Sequence, residues 1–159
     1  MRPTETLKTE HRKIEKTLER VVELCRAESF DKTAFSECIF FIQNFADKRH
    51  HGKEENMLFP LLKQRGMPSE GGPIGCMISE HETGRALVRR AAAALESGNE
   101  GEVKEALSQF VSLLTDHIMK EDQILFQMAD QTLTADDQGH LEKEFADFDE
   151  AFDKASATA

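Results

Sequence analysis

The chain has 159 residues, 39% of them apolar and 31% charged, and its 30 acidic against 20 basic residues leave a net charge of −10. That is the size of one domain able to bury a single core. An acidic surface of this magnitude repels phosphate backbones and anionic lipid, so neither nucleic acid nor membrane is expected as a partner.

The opening Met1-Arg2-Pro3-Thr4-Glu5 leads directly into a charged helical pattern without a signal-peptide core. No run approaches the ~18 apolar residues of a spanning helix, so the expected location is the cytoplasm. The first helix is predicted from about Thr4 to Arg26, with Leu7, Ile14, Leu18, Val21, Val22 and Cys25 as its apolar stripe. A second helix starts near Asp31, an acceptable N-cap, and carries Phe35, Ile39, Ile42, Ala46, Met57 and Leu61, with Pro60 expected to bend or tighten its last turns. Gln64 to Gly75 is rich in glycine and proline and reads as a loop. A third helix, about Ile74 to Leu95, has the stripe Met77, Val88, Ala92, Leu95 and stops at Ser97-Gly98-Asn99. A fourth, about Gly101 to Asp130, has Val103, Leu107, Phe110, Leu114, Leu125 and Met128. Thr134 with Asp137 resembles a capping box opening a short fifth helix that ends near Phe152, with Leu141, Phe145, Phe148 and Phe152 on one face.

No alternating strand interrupts this pattern. The expectation is an all-α, antiparallel four-helix bundle in a single domain over residues 1–159, with the bundle at about 4–130 and an additional short C-terminal helix at about 134–154. The second and fourth helices echo each other: both read His-x-x-Lys-Glu-acidic-x-x-Leu-Phe, from His50 and from His117. Two helix pairs related by an approximate two-fold axis would produce such an echo.

The polar exceptions fall within the apolar stripes. His11 lies between Leu7 and Ile14, His50 and Glu54 between Ala46 and Met57, His81 between Met77 and Val88, and His117 with Glu121 between Leu114 and Leu125. Each bundle helix therefore turns an imidazole inward, and two add a carboxylate one turn along the same face. Buried carboxylates are costly unless paired or metal-bound, and no Lys or Arg falls within the stripes to neutralise them. A pair of cations resolves the conflict. Mixed imidazole and carboxylate donors suit non-haem iron best, with zinc or manganese as alternatives. The expected ligands are His11, His50, Glu54, His81, His117 and Glu121.

Several neighbours are placed around that set. His51 and Glu55 sit about 100° round the helix from His50 and Glu54, which suggests a solvated or supporting role and leaves open whether His51 moves in as a seventh ligand. Asp122 is rotated off the stripe next to Glu121. Glu10, Glu80 and Glu82 flank ligand candidates, where they either hydrogen-bond imidazole N–H groups or face solvent. His140 has no partner motif and is expected on the surface. Cys25, Cys38 and Cys76 show no metal or redox spacing and read as small buried residues in a reducing compartment. Glu-x-x-His pairs of the ferritin-like kind are absent, as are His-Glu-x-x-His and a phosphate loop. The chain has no tyrosine, which excludes a tyrosyl radical.

These residues resemble the hemerythrin-like, HHE cation-binding family. The matching pieces are Glu10-His11, His50-His51-x-Lys-Glu54-Glu55-x-x-Leu-Phe-Pro, Gly-Gly-Pro-Ile-x-x-Met-x-x-Glu80-His81-Glu82, and His117-x-x-x-Glu121. The resemblance implies a four-helix bundle around two iron ions, carboxylate- and oxo- or hydroxo-bridged, with the six residues above as ligands. Oxygen-carrying hemerythrins supply two histidines, four apart, from the third helix; here Met77 stands at the earlier position, with one nitrogen ligand fewer expected. That departure points away from simple oxygen transport and towards binding or reduction of oxygen, nitric oxide or peroxide, with an electron donor from outside the chain. A non-enzymatic sensor or iron reservoir is the alternative.

Overall fold

The computed structural model describes residues 1–157 and contains five helices and no strand among them. Helix α1 spans Pro3–Arg26, α2 residues 32–64, α3 Pro73–Ser97, α4 residues 100–132 and α5 Ala135–Ala157. The first four form a closed ring in which α1 packs on α2 and α4, and α3 on α2 and α4. Helix α5 lies outside this ring, against α1 and the middle of α2. It starts within one residue of the C-terminal helix expected at about 134–154 and runs three residues further. Among the described residues no helix is long and apolar enough to cross a membrane.

The helix boundaries follow local chemistry. The Asp31 carboxylate accepts from Ala34 N–H at 3.0 Å and starts α2. Gly98 ends α3 at φ +78°, a left-handed conformation that glycine adopts without a Cβ clash, and Asn99 then caps α4 through Glu102 N–H. Thr134 and Asp137 form the reciprocal box expected at the start of α5, each side chain accepting from the other's backbone N–H at 3.1 Å.

Helices α2 and α4 depart from regular geometry. Ile42–His51, Glu54–Leu58 and Glu121–Leu125 are π-helical. A π turn closes its hydrogen bonds over five residues, so each residue advances by about 80° instead of about 100°. The apolar register shifts accordingly: Leu58 and Leu62 are fully buried where Met57 and Leu61 were expected, and Ala129 is buried while Met128 is exposed. Pro60 does not cause the widening, because the equivalent α4 segment is π-helical with Gln127 at the matching position.

Two apolar clusters result. One holds Ile14, Leu18, Phe35, Ile42, Val88, Leu107 and Phe110; the other holds Leu7, Leu58, Phe59, Met77, Leu125 and Phe126. Between them lies a buried layer of histidines and carboxylates. The cysteines divide: Cys38 is buried, Cys25 half-buried and Cys76 exposed, so only Cys38 fits the buried reading. His140 is exposed and pairs with Glu144 one turn on.

Helix α5 is anchored to the end of α2 by Asp137, whose carboxylate takes two hydrogen bonds from Arg65, at 2.7 and 2.9 Å. These bonds and the Thr134 cap hold the Asp137 carboxyl below the usual aspartate range. A carboxylate with a depressed folded pKa stabilises the fold above its unfolded pKa of about 4, and that contribution fades as pH falls towards the folded value. Asp137→Asn should therefore flatten part of the acid limb in urea midpoints measured from pH 2 to 6. Identical acid limbs in the two proteins would refute this role.

Candidate metal centre

The π turns decide which side chains reach the interior. Within Ile42–His51 the smaller angular step brings His51 inward beside His50, and both rings are buried. His51 is therefore not on a solvated face as its helical-wheel position suggested. Its ring stacks on His81 with centroids 3.7 Å apart. Glu54 and Glu121 each begin a further π segment and are both fully buried.

Seven donors converge as two groups of four. One contains His51, Glu54, His81 and His117; the other contains His11, His50, Glu54 and Glu121. In each group the donor atoms lie within 4.8 Å of one another, and Glu54 belongs to both. Glu121 also touches both halves, with Oε1 3.2 Å from His11 Nε2 and 3.3 Å from His117 Nε2. All six sequence-derived candidates meet here, with His51 added.

The histidines share one arrangement, Nδ1 outward to a carboxylate and Nε2 inward. Nδ1 of His50 donates to Glu10 (3.0 Å), that of His11 to Asp122 (2.7 Å), that of His81 to Glu55 (2.6 Å) and that of His117 to Glu80 (3.0 Å). His51 follows with Asp47 at 3.3 Å. Such partners fix the tautomer and ring orientation of a metal-binding imidazole and raise its basicity. Each carboxylate is held in turn by a cation: Glu10 by Lys53, Asp122 by Arg12, Glu80 by Lys120, and both Glu55 and Asp47 by Arg85. Glu82 meets only Arg85, at the exposed end of that network.

The duplicated motif now has a physical meaning. In each copy the lysine three residues after the histidine grips the glutamate of a neighbouring helix that supports that same histidine. The acidic residue after the central glutamate supports a histidine of the opposite helix pair, Glu55 on α2 holding His81 of α3 and Asp122 on α4 holding His11 of α1. Lys53 lies outside the apolar stripes yet is fully buried, where it contacts Glu10 and Asp149 and leaves Glu54 and Glu121 unneutralised.

With every Nδ1–H directed outward, the inward Nε2 atoms present lone pairs. His81 Nε2 and His117 Nε2 nevertheless face each other at 3.2 Å. Among the described residues, His50 Nε2, both Glu54 oxygens and one Glu121 oxygen have no hydrogen-bond partner. A buried acceptor cluster of this kind requires protons or cations. Without a cation, protons take that place: burial opposes it, but Asp122 and Glu121 lift His11 to about 9, and Glu121 with Glu80 raises His117. Burial and adjacent imidazoles press His50 and His51 well below the ordinary histidine value. Burial, reinforced by the charge of Glu121, pushes Glu54 well up. Despite burial, the two flanking histidines hold Glu121 well down. Two cations, each among imidazole nitrogens and a shared carboxylate, would satisfy all the orphaned atoms at once, so the donor set fits a dinuclear centre of borderline metals.

The model of the Hemerythrin HHE cation binding domain matches residues 2–129. The chain belongs to that family. No curated protein and no solved structure gave a match. The match ends before α5, which lies beyond the hemerythrin bundle proper. Met77 is buried in the apolar cluster below the donors, and α3 brings one imidazole to the donor groups while α2 brings two, His50 and His51. The sequence carried a signal for this in the His50-His51 doublet, but a regular wheel turned it away.

A glutamate whose folded pKa lies above its unfolded one loses stability as pH rises past the unfolded value. At pH 7 the metal-free hemerythrin domain therefore carries Glu54 at a cost, which Glu54→Gln removes. The metal-free variant should melt a few degrees higher than the metal-free parent and retain neither ion, because Glu54 serves both donor groups. Calorimetry with metal analysis checks this; a lower melting temperature at pH 7 would contradict it.

Proposed function

We propose that this hemerythrin-like protein holds two iron ions and uses them to bind or reduce a small oxidant, such as oxygen, nitric oxide or peroxide, in oxidative or nitrosative defence. The carrying observation is that Glu54 stands in both four-donor groups, which supports a bridged pair over two independent ions. Iron in such a site supplies reversible one-electron redox chemistry and open positions for a small ligand.

The chain's own residues set the conditions for that chemistry. The groups are unequal: three imidazoles and one carboxylate on one side, two imidazoles and two carboxylates on the other. The side with fewer nitrogens suits the open position. Carboxylates on the outer nitrogens keep all five rings oriented, and the apolar clusters above and below exclude bulk water. A cavity of about 280 Å³ between α2 and α3 is lined by Ile42, Ala46 and Val88 together with the charged Asp47, Lys48, Arg85 and Arg89, and it borders His51 and His81 of the three-imidazole half. Reduction needs electrons from a separate donor.

A second reading, reversible binding for sensing or storage without turnover, is favoured by His51. With it the centre has five imidazoles, and the nitrogen deficit inferred from Met77 disappears.

Iron analysis of protein purified without added metal should give two ions per chain, with visible bands that shift on adding azide. His51→Ala should lower affinity for one ion by about 10–100-fold, whereas Glu82→Ala should leave both. Consumption of peroxide or nitric oxide well above that of free iron supports the enzyme; saturable, reversible spectral change supports the binder. Zinc alone in the freshly isolated protein would defeat both iron readings.

A further inference from the structure

Besides His51 standing where the second copy has Ile118, the two motif copies differ in how their lysines are covered. Lys120 lies at the surface with its side chain 35% exposed, whereas Lys53 is 0% exposed because α5 covers it. Asp149 of α5 grips the Lys53 ammonium with both carboxylate oxygens, at 2.8 and 3.0 Å. Lys53 in turn holds Glu10 at 2.5 Å, and Glu10 accepts from His50 Nδ1. The docking of α5 is specific to this spot. Phe145 lies 5.7 Å from the ammonium, and Phe148 approaches Gly52 so closely that a Cβ there would sit 3.1 Å from the ring. Arg49 binds Asp149 and Asp153.

We propose that Asp149 is a positioning residue for the His11/His50 half of the centre, acting through Lys53 and Glu10, and that α5 thereby tunes one ion site independently of the other. This rests on the two-ion reading. The charges explain why the carboxylate matters. A buried ammonium opposite a single glutamate is one pair; Asp149 adds a second acceptor and shares the pull on Lys53. Without it, Lys53 bears on Glu10 alone, draws it from His50 Nδ1–H, and stands as a less balanced positive charge behind the ring. Both effects make His50 a poorer donor to a cation. Helix α5 lies outside the hemerythrin match, so the bundle's own motif does not supply this control.

Titration of the metal-free, full-length protein with Co²⁺, followed by the visible absorption of the bound ion, tests the idea. The parent should show two binding steps. Asp149→Asn should weaken one by about tenfold, the lower end for partners behind a ligand, and leave the other within about twofold. Asp149→Glu should restore it. Asp153→Asn, which loosens the same helix without touching Lys53, should leave both steps intact. Equal weakening of both steps, an unchanged Asp149→Asn variant, or the same loss in Asp153→Asn would overturn the proposal. Uptake of one cobalt ion or none by the parent would overturn the two-ion reading itself, and this inference with it.

Discussion

Two carboxylates share a dry layer with five imidazoles, and most of the fold can be understood as a means of tolerating that. Glu54 and Glu121 are fully buried, and the ion pairs they make among the described residues are with histidines. Apolar clusters flank the layer on both sides. Fully buried Leu, Ile and Phe side chains contribute about 1.5–3 kcal/mol each, so those clusters can hold the helices together while the middle layer remains unfavourable. The interior is therefore stable enough to fold around a deficit of positive charge, and that deficit is the affinity of the site for cations.

The π segments are the structural counterpart of this demand. A regular helix can aim positions i and i+4 at one point, but not i, i+1 and i+4 together. His50, His51 and Glu54 all reach the layer because α2 is widened there. The same widening at Glu121–Leu125 shows that the device belongs to the motif and not to Pro60. Such turns recur at functional sites because they place side chains where a regular helix cannot.

This explains what could be read from the sequence. The helices and the bundle followed from apolar periodicity, and the six inward polar residues followed from their interruptions of it. Both signals are local and carried by spacing alone. His51 could not be placed that way, because its direction depends on a backbone irregularity invisible in a periodic pattern. The buried Lys53 was missed for a different reason: its partner Asp149 lies 96 positions on, in a helix whose docking only the tertiary structure reveals. The role of Arg85, which ties Asp47 and Glu55 together behind His51 and His81, is likewise a long-range fact.

The internal duplication sharpens the last point. Two copies of one motif, each with its own histidine, lysine and central glutamate, would by themselves build a symmetric centre with two interchangeable ions. Symmetry of that kind gives no reason for a ligand to prefer one ion over the other. The sequence breaks it twice: His51 stands where the second copy has Ile118, and the lysine of the first copy is enclosed by α5 while that of the second faces water. The first change places three imidazoles on one side and two on the other, and the second alters the support behind His50. Both act on the α2 copy, leaving the α4 copy as the plainer half. On the two-ion reading, divergence confined to one copy would give a duplicated scaffold a directional site, because the ion with fewer nitrogens would accept an outside ligand while its better-ligated neighbour would retain its place.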